Sequence, residues 1–243
     1  MNRARNPFLL AIVFILLSTV SANAQQWFPL SSAQPQPIQT QLISSSEEEI
    51  RVHIQVPGFF SREVQTPQGP AAVILLPKAV NTLNAGDPNL PQYAIPVLIG
   101  DQAQMRLRVD KAHYTDYENM EIAPSKGDFP RSIDPATVPY TYGEAYRHDA
   151  FYPAVNADLF EPYILRDFRG QNLVVYPFAY NPVTKTLRVY HDMTVTMYRD
   201  GMGGANQLTT RRDNTVRIDP DFKNIYEHHF INYRQTLTRY TPT

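Results

Sequence analysis

The sequence predicts an all-β fold, an antiparallel β-sandwich (jelly-roll-like) carrying one amphipathic helix near its C-terminal end. Three observations lead there. Several short runs alternate apolar and polar residues with a period of two. The 243 residues include 21 prolines, 15 tyrosines and 12 phenylalanines, a composition suited to many short strands with tight connections. A convincing helical spacing of apolar residues occurs in one place only, after Asp219. With no helical segments between the strands, an alternating α/β arrangement is disfavoured.

Residues 1–24 read as a secretory signal peptide. Arg3 and Arg5 precede the apolar run Pro7–Leu17, and Ala22-Asn23-Ala24 supplies small residues where a signal peptidase reads. That run is too short for a comfortable membrane span. Cleavage between Ala24 and Gln25 is expected, which places the mature chain in a secreted or periplasmic location, off the membrane. The sequence has no cysteine, so neither disulfides nor a lipoprotein-type cysteine anchor holds it. An ordinary hydrophobic core must do so, and about 200 residues are enough to build one.

Residues 25–200 are expected to form the sandwich. From Gln25 to Ser46 the chain is rich in Gln, Ser and Pro with little period, which reads as a loose lead-in. Glu47-Glu48-Glu49 reads as a solvated acidic loop. Ile50, Val52, Ile54 and Val56 then share one face against Arg51, His53 and Gln55, a half-buried strand stopped by Pro57-Gly58. Ala72–Leu76 reads as a more buried strand. Tyr93–Ile99 is a further candidate, demoted by Pro96 to an edge or a bulge. Met105, Leu107 and Val109 alternate with Arg106, Arg108 and Asp110. Leu173–Ala179 and Thr186–Tyr198 flank a Tyr180–Lys185 turn that contains Asn181-Pro182, and so predict a β-hairpin.

Gly201, Gly203 and Gly204 open a polar stretch, 201–219, that reads as a linker. Residues 220–239 carry the helix. Asp219 suits the cap, Pro220 the first helical position, and Asp221 the positive end of the dipole. Phe222, Ile225, Tyr226, His229 and Tyr233 fall at three- and four-residue spacing and need a partner surface.

Charge and motifs exclude several functions. Removing Arg3 and Arg5 leaves 20 basic residues against 23 acidic ones, a net charge of −3. Neither a nucleic-acid-binding basic field nor a basic amphipathic stripe exists. No nucleophilic cysteine, Gly-x-Ser-x-Gly elbow or phosphate-cradling glycine loop is present. The six histidines show no metal-ligand spacing, and His228 and His229 point in different directions on a helix. No metal, cofactor or catalytic residue is expected.

Several stretches resemble the N-terminal propeptide of the gingipain family of cysteine peptidases, in particular the Arg-specific type. They are Ala123–Gly127, Pro139–Tyr146, Tyr163–Gln171, Tyr180–Tyr190, Ile225-Tyr226, Phe230–Tyr233 and Thr238–Pro242, in register from about Gly86 to Thr243, and the likeness is weak from Gln25 to Ala85. The resemblance implies an inhibitory and folding-assisting propeptide of a secreted Arg-specific cysteine protease, with that protease's catalytic domain as partner. It also implies that Arg131, flanked by Pro130 and Ser132, enters the protease's specificity pocket. An arginine-selective pocket ends in a carboxylate, which a guanidinium engages by paired, charge-assisted hydrogen bonds. The bond between Arg239 and Tyr240 corresponds to the processing site. Residues 240–243 correspond to the start of a mature protease segment whose catalytic domain the sequence does not contain, so the chain is expected to have no enzymatic activity. The alternative is a secreted β-sandwich binding module for glycan or a surface protein, motivated by Tyr114, Tyr117, Tyr140 and Tyr142.

Overall fold

The computed structural model describes residues 25–209, 215–216 and 218–242. Its first strands are β1 (Gln26–Pro29), β2 (Gln39–Ser45), β3 (Glu49–Gln55), β4 (Gly58–Thr66), β5 (Gly69–Leu75), β6 (Val80–Asn81), β7 (Pro91–Leu98) and β8 (Ala103–Tyr117). A 3-10 turn at Glu144–Arg147 leads into β9 (Ala157–Leu159), β10 (Tyr163–Leu165), β11 (Phe168–Val175), β12 (Phe178–Asn181) and β13 (Thr186–Met202). The strand β14 (Thr215–Val216), the helices α1 (Pro220–His229) and α2 (Tyr233–Leu237), and β15 (Thr241–Pro242) complete the order.

One five-stranded antiparallel sheet runs β12-β13-β3-β2, with β8 also paired to β13. The other runs β10-β11-β7-β6, with β9 on β11. A three-stranded sheet, β1-β4-β5, supplies a third wall. The alternation read from the sequence decides which face is buried. Ile50, Val52 and Ile54 of β3 and Leu187, Val189, Met193, Val195 and Met197 of β13 join Ile95 and Val97 of β7, Leu173 and Val175 of β11, Phe59 and Ile74 in one core. The opposite face of β3, β13 and β8 is charged. There Arg108 contacts Asp110 at 2.7 Å, and Asp192 lies 3.3 Å from His53 and 3.2 Å from Lys111.

Gln25–Ser46 is not a loose lead-in. β1 pairs with β4 and β2 with β3. Gln39, Gln41 and Ile43 of β2 are exposed; this is a polar edge strand held by its neighbour's ladder, so it shows little apolar alternation. Glu49 likewise opens β3 and pairs with Tyr198.

The 180–185 hairpin is present, with Asn181 opposite Thr186, but its first arm is short. Leu173–Val175 belongs to the other sheet, opposite Tyr93–Ile95. The change of sheet falls at Tyr176-Pro177, where proline has no N–H to continue a ladder.

Pro96 sits in β7 with its missing N–H directed away from β11. Its carbonyl accepts from the Ile231 N–H at 3.1 Å on that outer side, an edge placement that a strand tolerates for proline.

The linker also differs from expectation at its start. β13 runs through Gly201 to Met202, and buried Arg169 donates to the carbonyls of Gly203 (3.3 Å) and Ala205 (2.8 Å) as well as Gly100 and Ala103. The remainder of 201–219 lies partly outside the described residues.

Helix α1 begins as read. The Asp219 carboxylate accepts from the Asp221 N–H at 3.0 Å, and Pro220 opens the first turn. The expected single helix over 220–239 is instead two. Phe230–Asn232 leaves helical geometry because Ile231 and Asn232 complete the outer edge of β7. Tyr226, Phe230 and Tyr233 pack on Phe168 and Leu98 in a second core, whereas Ile225 faces solvent. Phe230 lies against Gly170, where a Cβ would fall 2.5 Å from the ring. No helix among the described residues is long and apolar enough to cross a membrane.

Candidate functional site

The segment from Lys126 to Pro139 stands out from the sheets on two fixed stems. The first stem is Ala123–Ser125, which is buried. The Ala123 N–H donates to Ala72 O at 2.8 Å, and its carbonyl accepts from Asn89 N–H at 3.0 Å. The Ser125 N–H donates to Asp87 O at 2.7 Å, its carbonyl accepts from Gly86 N–H at 2.9 Å, and its hydroxyl donates to Thr82 O at 2.8 Å. Gly127 then turns with φ +85°, so close to Ala85 that a Cβ would lie 2.8 Å from that methyl. A glycine is required on both counts.

The second stem is Tyr142–Tyr146. The Gly143 N–H donates to Gly86 O at 2.8 Å. The Tyr142 hydroxyl bonds the Thr66 hydroxyl at 2.8 Å, and the Tyr146 hydroxyl donates to Ile122 O at 2.8 Å. The two rings meet edge to face at 4.7 Å. Burial, with neighbouring Tyr180 and Tyr142 adding to it, pushes the Tyr146 phenol well above its usual range and keeps it a neutral donor. Both stems thus bond to Gly86, which fixes their separation.

The tip is exposed from Pro130 to Thr137. The Ile133 N–H donates to Pro130 O at 2.9 Å, closing a β-turn with Arg131 and Ser132 at its corners. A second turn follows, in which Asp134 accepts from the Ala136 N–H through its carboxylate and from the Thr137 N–H through its carbonyl, each at 2.9 Å. Lys126 ties the far side back. Its ammonium donates to Pro135 O at 2.7 Å and lies 4.4 Å from the Tyr140 ring centre. Pro130, Arg131 and Ser132 are therefore together on one protruding turn.

Arg239 and Tyr240 lie elsewhere, just past α2 and against the second core. The Arg239 guanidinium donates to Ser45 Oγ at 3.3 Å, and the Tyr240 ring meets Phe168 edge-on at 5.6 Å. Gln25 is exposed at the start of the described residues, and Ala24 lies outside them. The sequence gives no sign of the supporting roles of Lys126, Tyr142 and Tyr146, although all three fall in the family-like motifs and Tyr142 is expected only as a glycan-stacking candidate. Asn232 and Ser45 carried no local signal.

Three of the four tyrosines offered for glycan stacking are committed to packing. Tyr117 is wedged edge-on against Phe28 and Phe59, Tyr140 packs with Val73 and Ala71, and Tyr142 is held as above. Only Tyr114 of the four is exposed, and Arg188 already lies 3.9 Å over its ring. Among the described residues no group of three or more His, Asp or Glu side chains converges as a metal site would require.

Residues 31–237 match the model of the Propeptide_C25 family. The chain belongs to that family. As a Propeptide_C25 member it includes most of the N-terminal third, where likeness by motif is weak. Among curated relatives, gingipain R2 of Porphyromonas gingivalis is 34% identical over 204 residues, and gingipain R1 of the same organism is 36% identical over 202. These alignments cover 84% and 83% of this chain but only 27% and 20% of the relatives' length. A solved complex of the RgpB pro- and mature domains from that organism superposes with a TM-score of 0.74 at 33% identity, covering 81% of this chain and 98% of the matched one. A structure concerned with the zymogenic latency of gingipain K shares the fold, with a TM-score of 0.62 at 20% identity over 73% of this chain and 100% of the other. The Propeptide_C25 domain described here is thus a gingipain-type propeptide and not the catalytic part of such a protease.

Proposed function

We propose that this chain is the inhibitory and folding-assisting propeptide of an exported Arg-specific cysteine protease of gingipain type. It holds the protease latent by offering Arg131 to the specificity pocket until cleavage after Arg239 releases it. The observation that carries this reading is the geometry of the 126–139 loop: an exposed arginine at the corner of a turn, on stems that both bond to Gly86.

Such a tip loses little conformational freedom on docking, because its ends and both of its turns are already fixed. The guanidinium supplies charge and a planar fork, and a pocket carboxylate answers both. The Pro130–Ile133 turn keeps the Arg131–Ser132 peptide bent, whereas a bound peptide adds to a cleft as an extended strand. The bait is therefore presented without its bond being aligned for attack.

The test is inhibition of mature gingipain R2 by the chain, read as residual amidase activity. Inhibition at micromolar concentrations or below is expected, and Arg131→Ala should weaken it roughly 30-fold or more, the usual consequence of removing one partner of a buried charge pair. Equal inhibition by Arg131→Ala would remove that residue's role. No inhibition by the native chain would overturn the whole reading.

A further inference from the structure

We infer that the Arg239–Tyr240 bond is locked in a form that a protease cannot use, so that processing waits on release of the C-terminal tail. This rests on the reading of Arg239 as the processing residue and adds a condition to it.

The lock is built from contacts on both sides of one peptide bond. The Arg239 N–H donates to Thr236 O and the Tyr240 N–H donates to Leu237 O, both at 3.0 Å, so the bond lies in a coiled turn continuing α2. The Arg239 guanidinium is held by Ser45 Oγ, which also accepts from the Asn232 side-chain amide at 3.2 Å. On the leaving side, the Tyr240 ring lies on Phe168 and its hydroxyl is 3.5 Å from the Asp101 carboxylate. Beyond it, Thr241 and Pro242 pair in parallel with Thr215 and Val216.

Each contact opposes what cleavage needs. A protease binds its substrate extended, with the backbone free to pair and the arginine side chain free to enter a pocket. Here the backbone N–H groups are already spent in turns, the guanidinium is engaged, and the following side chain is packed against a core. Hydrolysis adds one water across the Arg239–Tyr240 amide, leaving a carboxylate on Arg239 and an ammonium on Tyr240. It can proceed only from the fraction of molecules in which this tail has opened. The contrast with Arg131 is one of access to a pocket: the loop guanidinium is exposed, and the junction guanidinium is engaged.

Trypsin, an arginine- and lysine-specific protease unrelated to gingipains, serves as the probe. The measured quantity is the initial rate of release of Tyr240–Thr243 by mass spectrometry, counting only product otherwise intact. The full chain is compared with a synthetic peptide spanning residues 235–243. Ser45→Ala and Tyr240→Ala chains are each compared with the chain and with a peptide of matching sequence. The chain is expected to be cut at this bond roughly tenfold or more slowly than the peptide. Each variant is expected to recover several-fold of that difference. A chain cut as fast as its peptide, or variants that leave the rate unchanged, would overturn the lock. If trypsin behaves as expected but gingipain R2 leaves Arg239 uncut even in the Tyr240→Ala chain, the lock stands and the reading of Arg239 as the processing residue fails.

Discussion

The side-chain amide of Asn232 pairs with the backbone of Leu98 in both directions, donating to its carbonyl and accepting from its N–H at 2.8 Å each. The side chain thereby acts as one residue of an extra strand beside β7. Both residues are fully buried, so no water stands ready to replace either bond. Asn232→Ala leaves two buried backbone groups unpaired and is expected to cost about 2–5 kcal/mol. Urea unfolding followed by circular dichroism measures this. A loss below about 1 kcal/mol would show that the edge is solvated in its absence.

Gly170 gives a test of how the helices are held. A side chain there meets the Phe230 ring and Tyr163 at once. Gly170→Val is expected to destabilise the protein by about 1–3 kcal/mol. Hydrogen exchange should show the loss of protection concentrated in α1 and β10, with β3 and β13 unaffected. Uniform loss across all sheets would count against local undocking.

Gly127 tests the loop stem without touching the tip. Gly127→Val imposes a β-branched side chain at φ +85° and against Ala85. It is expected to weaken inhibition of gingipain R2 by about tenfold through loss of preorganisation, at a stability cost of about 1–3 kcal/mol that leaves the sheets folded. Unchanged inhibition would mean that the stem does not set the tip's geometry.

Alkaline pH provides a prediction of stability. Burial, first among the causes in each case, pushes Tyr152, Tyr163 and Tyr180 up to about 12. For Tyr152 the hydrogen bond to Asp87, 2.7 Å long, adds to it. A phenol with a raised folded-state value contributes stability that is complete below the unfolded value, about 10, and is lost as pH rises towards the folded one. The melting temperature is therefore expected to fall between about pH 10 and pH 12, together with a rise in phenolate absorbance that lags that of free tyrosine. Absorbance following free tyrosine would show these rings to be hydrated.

The parts of this fold legible in the sequence are those decided by one strand alone. Ile50, Val52 and Ile54 alternate because a single face of β3 is buried, and Asp219-Pro220 marks a helix start by local chemistry. What escaped is decided by partners far along the chain. β2 is polar on its exposed positions apart from Ile43 and is a strand only because β3 lies beside it. The helix breaks at Phe230–Asn232 because an unfinished strand edge competes for those groups, and no spacing within 220–239 encodes that. The stretch around Arg131 is singled out in the sequence only by its resemblance to a family motif. Its bracing is not legible there, because Gly86, Thr82 and Thr66 lie 45 or more residues upstream of Arg131.

Strand β13 has a consequence for how the chain comes into being. It stands between β3 and β8, pairing Val195 with Val52 across most of the domain. A ribosome must therefore deliver nearly two hundred residues before the central ladder can close, and contacts so distant in sequence form slowly. Until then the first-made strands have no interior to enclose, and translocation through a membrane would meet a chain that is still threadable.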